Sequence, residues 1–313
     1  MKNFANKIIA KTPFNRPGGK PILSLLWVCF FWGTTWIASK QGVKYVPAIQ
    51  LCAIRQMIAG LLYLGYFMYK KHPWPKGKQW GIILILSALN FMLSNTLTTW
   101  GVKYISSGLG AIISAIVPLW IVIITMFEGF RMPRKAILGI LLGFSGVCII
   151  FFDHLKDFLQ VNFRFGIFLS LAATISWAFG SWYTKKHTVN FNPYFSIGLQ
   201  MIISAIALFG VVGTTGDTIN IFIIPANGWW AISYLVIFGS VLTFIAYIYT
   251  LKNLPTSQAS IYAYTNPVVA VLLGALIFGE RLNSFIAVGG AVTLLGVYLV
   301  NNSFKKKVAA AKL

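Results

Sequence analysis

Ten stretches of predominantly apolar residues follow one another along the chain, separated by short segments rich in lysine, arginine, proline and asparagine. Each stretch is close to the ~20 residues that an α-helix needs to cross the ~30 Å hydrocarbon core of a bilayer. In chain order they are Ile22–Val43, Ala48–Tyr69, Gln79–Trp100, Ser106–Phe127, Arg134–Phe152, Gly166–Lys185, Tyr194–Thr214, Gly228–Leu251, Ser257–Phe278 and Ser284–Asn302. The pattern predicts an all-α integral membrane protein with ten transmembrane helices, called spans 1 to 10.

Composition agrees with this interpretation. Apolar residues make up 58% of the chain and charged residues 10%, with a mean hydropathy of +0.76, whereas a soluble domain carries about 25% charged residues. So few charges cannot cover the surface of a soluble globule. The three cysteines, Cys29, Cys52 and Cys148, lie inside apolar runs, which favours small core residues over a disulfide framework.

The net charge of +21 raises the question of nucleic-acid binding. The basic residues form short clusters between apolar runs, not a stripe with interleaved aromatic residues, so we expect no nucleic-acid partner. If the N-terminus is cytoplasmic, the inside segments hold 19 lysines and arginines and the outside segments hold 6. This asymmetry predicts that both termini are cytoplasmic, with basic tails at 1–20 and 304–313.

Matching residues recur between the two halves of the chain. Trp32 is matched by Trp177 at a spacing of 145 residues, and Pro118 by Pro267 at a spacing of 149. Further pairs are Trp80 with Trp229, Lys103 with Lys252, Gly139 with Gly289, and Gly146 with Gly296. The glycines in these pairs, which lie in spans 5 and 10, also suit close contact between helices. Because five spans per repeat is an odd number, the second repeat must be inverted. We predict inverted repeats at 21–152 and 164–303, typical of secondary transporters with a substrate site near the midplane.

Polar stripes in corresponding spans predict a central cavity. Each stripe lies along one helical face. They comprise Ser87, Asn90, Ser94 and Thr98 in span 3, Ser240, Thr243, Tyr247 and Thr250 in span 8, Ser170, Thr174, Trp177 and Ser181 in span 6, and Ser257, Ser260 and Tyr264 in span 9. Any one hydroxyl is also consistent with hydrogen bonding between packed helices. The paired stripes together favour a cavity.

Arg55 lies about seven residues, or ~10 Å, inside span 2. An arginine at depth costs at least ~2.5–3.5 kcal/mol on insertion scales, and no span interior contains Asp or Glu to pair with it. Two interpretations stay open. The guanidinium either reaches the interface, backbone carbonyls or an amide such as Asn95 or Gln200, or it binds a substrate carboxylate.

Pro118 and Pro267 lie near the middle of spans 4 and 9, where each removes a backbone hydrogen bond and is expected to break the helix locally. Such breaks are tolerated where a helix faces a cavity. We interpret them as hinges for alternating access, with plain structural kinks as the alternative. Glu280, at the outer end of span 9, is expected either to form an ion pair with Arg281 or Lys103 or to close an outer gate.

Several short motifs of the chain are similar to those of a known protein family. They are Trp32-Gly33, Arg55, Asn266-Pro267, Gly279-Glu280-Arg281-Leu282, Gly289-Gly290 and Gly296-Val297. On these residues the chain resembles the drug/metabolite transporter superfamily, specifically the EamA-type transporters, over essentially its whole length. The resemblance implies a multi-pass protein of the bacterial inner membrane that exports amino acids or other metabolites. Some relatives move nucleosides or nucleotide derivatives.

The sequence therefore predicts a secondary transporter of small metabolites, with amino acids or related metabolites as the expected cargo. The predicted substrate-binding residues are Trp32, Arg55, Asn95, Trp177, Gln200, Tyr264 and Asn266, and the predicted hinge or gating residues are Pro118, Pro267 and Glu280. The expected partners are a small-molecule substrate and the lipid bilayer, with the protein a monomer or a homodimer. No metal or cofactor is expected.

Other classes of function were weighed against this prediction. A lipid or nucleotide-derivative translocator and a non-catalytic membrane scaffold both stay open. An intramembrane enzyme is disfavoured, because the spans contain no convergent nucleophile, base or metal ligands. The five acidic residues and three histidines lie in loops or at span ends, so no proton relay through the membrane interior is expected.

Overall fold

The computed structural model describes residues 19–128, 133–153, 157–187, 191–254 and 261–310. Within these ranges the protein is all-helical, without a β-strand. The helices, numbered to match the predicted spans, are α1 Gly19–Gly42, α2 Ala48–Tyr69, α3 Lys78–Tyr104, α4 Ser107–Phe127, α5 Arg134–Asp153, α6 Val161–Lys186, α7 Pro193–Thr215, α8 Ala226–Asn253, α9 Tyr262–Phe278 and α10 Ser284–Ala310. Short 3₁₀ turns, Asp157–Leu159 and Ile221–Ile223, precede α6 and α8.

Each predicted apolar run overlaps one of these helices. Several helices are longer than their runs: α6 begins at Val161 instead of Gly166, because backbone hydrogen bonding continues through polar residues at the bilayer surface. Seven helices, α1–α4 and α6–α8, are long and apolar enough to cross a membrane by length and composition, and α9 and α10 provide shorter apolar stretches. The predicted start of span 9, most of the tail 1–20 and the end of the tail 304–313 lie outside the described residues.

Helix ends follow local sequence signals. The Asn192 side chain accepts hydrogen bonds from the first backbone N–H groups of α7, Pro193 occupies the first turn, and Gly216 ends the helix with a φ of 69°. This is the usual order of an N-capping side chain, an early proline and a left-handed glycine. Ser106 caps α4 by accepting a hydrogen bond from the backbone N–H of Leu109.

The two helices with matching polar stripes, α3 and α8, are each interrupted by a π-helical segment. The segments are Ser87–Asn95 in α3 and Leu235–Leu242 in α8. A threonine follows each segment and donates its hydroxyl to the carbonyl five residues earlier: Thr96 to Phe91, and Thr243 to Phe238. Such wide turns are rare and occur mostly at functional sites. Sequence periodicity did not predict them.

The two prolines expected to break helices differ in their effect. α4 is interrupted by a turn at residues 115–116, and Pro118 lies in the first turn of the second segment, Val117–Phe127. α9 instead continues through Pro267 without interruption. The expected break is therefore present in α4 and absent from α9, where Pro267 is buried inside the helix.

Helices at corresponding positions in the two halves of the chain make similar packing contacts. α2 packs along α7 and α5 along α10, while α1 contacts α8 and α9, and α6 contacts α3 and α4. The α5–α10 contact depends on glycine, as the sequence led us to expect. A β-carbon at Gly289 would lie 2.6 Å from the carbonyl oxygen of Gly146, and one at Gly139 would lie 2.7 Å from that of Gly296. The backbones of α5 and α10 therefore touch directly. The cavity lies between the other helices.

Candidate substrate-binding cavity

A cavity of about 670 Å³ lies between α1, α3, α4, α6, α8 and α9, with Arg55 as the contribution of α2. This volume is within the range of pockets that hold metabolite- or drug-sized ligands. Much of the wall is apolar. Its polar side chains include Asn90, Ser94, Asn95, Thr98 and Thr99 of α3, and Thr174 and Ser181 of α6. Most of the predicted stripe of span 3 thus faces the cavity, while Ser87 is buried and donates to the carbonyl of Gln200.

Arg55 reaches the cavity wall although it is only 6% exposed. Its Nε donates to Ser240 Oγ at 2.8 Å, and its Nη1 donates to Asn95 Oδ1 at 3.3 Å. Both acceptors lie in π-helical segments, Asn95 in α3 and Ser240 in α8. Because both are neutral oxygen atoms, they orient the guanidinium without cancelling its charge. The hydrogen bond between Arg55 and Asn95, which was one of the two interpretations of Arg55, is therefore present in the structure.

No carboxylate lines the cavity in the part of the chain that the structure describes, and its second cation is Lys185. A buried charge without a counter-ion is costly. Within a membrane protein, such a charge is a hypothesis for a functional site. The chemistry that the wall offers is therefore attraction for an anionic group.

Aromatic rings form one side of the cavity around Trp32. The Trp32 ring centroid lies 4.8 Å from that of Tyr247 and 5.2 Å from that of Tyr262, and Trp177 stands at right angles to it at 6.3 Å. Phe244 packs against the same indole at 5.4 Å. These rings meet mostly edge to face, and they present a polarizable wall with few rotatable bonds.

A set of contacts at the start of α4, near one end of the cavity, is here called the Glu280 clamp. The Glu280 carboxylate accepts hydrogen bonds from the backbone N–H and the hydroxyl of Ser107, at 2.8 and 2.9 Å, and from the backbone N–H of Gly108, at 3.1 Å. Lys40 Nζ donates to the carbonyl of Ile105 at 2.6 Å. A negative charge at a helix N-terminus is favourable. The clamp joins the ends of α1, α4 and α9.

The opposite end of the cavity reaches the surface, because the exposed side chain of Lys185 is part of its wall. There Glu128 accepts hydrogen bonds from Lys186 Nζ at 2.7 Å and from Trp182 Nε1 at 3.0 Å. These two hydrogen bonds hold the pKa of Glu128 below its ordinary value. Both partners belong to α6, so Glu128 links the end of α4 to the end of α6.

The structure places the predicted residues as follows. Lining the cavity are Trp32, Arg55, Asn95, Trp177, Asn266 and Pro118. The Asn266 side-chain amide, oriented with its nitrogen toward α1, donates to the carbonyls of Cys29 at 2.8 Å and Tyr262 at 3.1 Å. Pro267 is buried, and Glu280 acts in the clamp instead of the cavity wall. The expected ion pair of Glu280 with Arg281 or Lys103 is replaced by these hydrogen bonds.

Gln200 and Tyr264 lie outside the cavity wall. Gln200 Nε2 donates to Ser196 within α7, at 2.9 Å, and the Tyr264 hydroxyl donates to the carbonyl of Val297 at 3.1 Å. In both cases the polar group is used between or within packed helices. The geometry gives no support to a substrate contact at either residue.

Tyr262, Phe244 and Lys185 line the cavity but were not among the predicted residues. A helical signal for Tyr262 existed. It lies four residues before Asn266 and thus on the same face, whereas Tyr264 is offset by about 200° of rotation.

Several known proteins are similar to this chain over most of its length. The EamA-like transporter family matches residues 19–152 and 164–302. The chain is similar to the uncharacterized inner membrane transporter YedA of Escherichia coli (strain K12), with 28% identity over 90% of each chain. It is similar to the uncharacterized transporter YvbV of Bacillus subtilis (strain 168), with 25% identity over 94% of this chain and 96% of the relative. A solved crystal structure with 15% identity superposes with a TM-score of 0.65, covering 90% of this chain and 96% of that one.

These findings define a polytopic helical membrane protein of the transporter class, built from two related repeats. The chain belongs to the EamA-like transporter family. The relatives that it matches are named as transporters, and YedA as an inner membrane transporter. The resemblance seen in the motifs is confirmed, and the family is one of transporters rather than enzymes.

Proposed function

We propose that this protein is a secondary transporter that exports small metabolites, with amino acids or related metabolites as cargo, by alternating access between inverted repeats. The observation that carries the proposal is Arg55. A buried guanidinium, bound to neutral oxygen atoms, faces a cavity large enough for a metabolite. The α-carboxylate of an amino acid suits such a guanidinium, because two parallel hydrogen bonds fit its geometry.

The packing of the helices supports ten spans in two inverted sets of five. α1 contacts α8 and α9 in the way that α6 contacts α3 and α4, and the π-helical segments occur in α3 and α8. Each correspondence joins helices five positions apart in the chain. A two-fold axis in the membrane plane relates such helices in transporters with inverted repeats.

The state of the cavity supports alternating access. The charge asymmetry of the sequence favours cytoplasmic termini in a bacterial inner membrane, which directs the Lys185 end of the cavity toward the cytoplasm. The Glu280 clamp then lies at the outer end, and the conformation is open to the inside. In this proposal, opening of the clamp and bending at the interruption of α4 before Pro118 give the outward-open state.

Transport in proteoliposomes tests the proposal. The purified chain is reconstituted with a pool of unlabelled amino acids inside, and entry of each labelled amino acid is measured by exchange. We expect exchange of at least one amino acid and a loss of about tenfold or more in Arg55→Ala, since hydrogen bonds to a charged group contribute ~1.5–3 kcal/mol. The matched control is Arg164→Ala, because Arg164 is exposed and outside the cavity. Exchange of no amino acid, or equal rates in the two variants, would contradict the proposal.

A second function is favoured by the pair of cations in the cavity wall, Arg55 within it and Lys185 at its mouth. Two cations suit a phosphate-bearing cargo, such as a lipid head group or a nucleotide derivative. The same proteoliposomes distinguish the two proposals. Scrambling of a labelled phospholipid, or exchange of a labelled nucleotide, without exchange of amino acids would favour this second function.

A further inference from the structure

We infer that the cavity takes a carboxylate attached to a flat, aromatic body, and that Arg55 can select this charge because the two side chains that hold it, Asn95 and Ser240, are neutral. This inference rests on the proposed transport function and deepens it by naming the class of substrate. Its basis is the environment of Arg55, which is held between α3 and α8 by these two neutral side chains.

The π-helical segments determine where the two acceptors lie. Each segment widens the helix and shifts the direction of the side chains that follow, so that Asn95 Oδ1 and Ser240 Oγ approach the guanidinium from two different helices. The two bonds fix its orientation through Nε and Nη1. Its positive charge stays available for a third partner in the cavity.

Position 95 has a particular chemical consequence. Aspartate has nearly the same shape as asparagine, so an acid would fit there and would form an internal ion pair with Arg55. The amide instead leaves the cavity wall with two cations and no carboxylate among the lining residues that are described. The selectivity for an anion therefore depends on one neutral side chain.

The aromatic part of the substrate is inferred from the relation between Trp32 and Arg55. Both side chains adjoin Gly239. Trp32 Nε1 donates to its carbonyl at 3.4 Å, and a β-carbon at that glycine would lie 3.1 Å from Arg55 Nη2. A carboxylate at the guanidinium thus has its attached group beside Trp32, Tyr247 and Tyr262, whose rings offer faces and edges for stacking.

The test compares probes that differ in one charge. L-phenylalanine is paired with L-phenylalaninamide, and phenylacetate with phenylacetamide, and each is added to the purified full chain in detergent while its melting temperature is measured. We expect both carboxylates to stabilise the protein more than their amides do. In Asn95→Asp, the affinity for the carboxylates should fall about tenfold or more, because a second acid competes for Arg55.

Two variants separate charge from the loss of a contact. Asn95→Ala removes the acceptor without adding a charge, and Ser240→Ala removes the acceptor of Nε. Both should bind the carboxylates more weakly than the unchanged protein yet still prefer them to the amides. Asn95→Asp should lose that preference. A melting temperature of Asn95→Asp at or above that of the unchanged chain would show that the variant folds.

The outcomes are decisive in either direction. If no carboxylate stabilises the unchanged chain more than its amide, or if Asn95→Asp and Asn95→Ala behave alike, the inference is wrong. The proteoliposome assay is read separately. Charge-selective binding without exchange of any cargo would contradict the transport proposal and leave this inference standing. Exchange at the same rate in Asn95→Asp as in the unchanged protein would contradict this inference and leave the transport proposal standing.

Discussion

Glu280 and Glu128 each follow the fourth helix of a repeat, yet the two carboxylates have different surroundings. Glu280 accepts hydrogen bonds from the backbone and the hydroxyl at the start of α4, and so connects the two repeats. Glu128 stands exposed and binds two α6 side chains, Lys186 and Trp182. One glutamate therefore binds backbone groups of fixed position, and the other binds flexible groups at the surface.

The difference predicts which end of the cavity is held together more firmly. Backbone N–H groups cannot move without moving their helix, so the Glu280 clamp joins whole helices. An exposed ion pair is screened by water and salt, and holds helices together weakly. We therefore expect the Glu280 end to open less readily than the Lys185 end, where the cavity reaches the surface. Three changes test this comparison, from the largest expected effect to the smallest.

Glu280→Gln should have the largest effect. Glutamine keeps one acceptor oxygen but places an NH₂ group against the N–H of Gly108 or the hydroxyl of Ser107. Because hydrogen bonds to a charged group contribute ~1.5–3 kcal/mol, we expect the free energy of unfolding to fall by about 2 kcal/mol. The closed end should also open more often.

The readout is the rate at which Ser39→Cys reacts with a membrane-impermeant maleimide, in a chain whose native cysteines are replaced by alanine. Ser39 lines the cavity and is 5% exposed. Faster labelling in Glu280→Gln, together with a lower melting temperature, is the expected result. Equal labelling rates with and without the Glu280→Gln change would show that the clamp does not control access.

Gly274→Ala should have a smaller effect of the same sign. A β-carbon there would contact the Glu280 carboxylate and lie 2.8 Å from Ser107 Oγ, so the clamp must shift to make room for it. We expect a loss of ~1–2 kcal/mol, typical of overpacking. Gly290→Ala is the matched control, since its β-carbon would meet only Ile112 at 3.7 Å among the described residues. Equal melting temperatures for the two variants would contradict this explanation.

Glu128→Gln should have the smallest effect, with a fall in melting temperature at neutral pH that is smaller than in the other two variants, because the contact is exposed and screened. The hydrogen bonds from Lys186 and Trp182 lower the pKa of Glu128 in the folded protein. Their stabilisation is therefore present above the ordinary glutamate pKa and is lost as the pH falls through the lowered folded value. The sequence contains only two glutamates, so ¹³C-glutamate labelling follows the Glu128 carboxyl directly, with Glu128→Gln as the assignment. A titration midpoint at or above the ordinary glutamate value would refute the assigned contacts.

Much of the helical layout followed from the pattern of apolar residues. Hydropathy located the helices, because a bilayer requires long apolar segments with internal backbone hydrogen bonding. The glycines of α5 and α10 predicted close packing of these helices, and in the structure Gly146 lies against Gly289. The uninterrupted course of α9 through Pro267 did not follow, since the cost of a proline depends on whether surrounding helices compensate for the lost bond.

The cavity was only partly predictable. Arg55, Trp32 and Trp177 stood out because a charge or a large aromatic ring is conspicuous in an apolar run. Tyr264 was predicted and Tyr262 was not, because hydropathy does not show which face of span 9 points toward the cavity. The π-helical segments, which bring Asn95 and Ser240 to Arg55, have no hydropathic signature, since a widened turn changes side-chain directions without changing composition.

The sequence by itself determined that this chain is a helical membrane protein with two related halves and one buried arginine. Apolar runs, charge clusters and repeated residues are local properties, and each has a physical consequence that does not depend on the other helices. The tertiary structure decided that Arg55 meets Asn95 and Ser240, and that Glu280 binds the start of α4. Those contacts join residues 40 to 185 positions apart, and only the packing of all the helices brings such positions together.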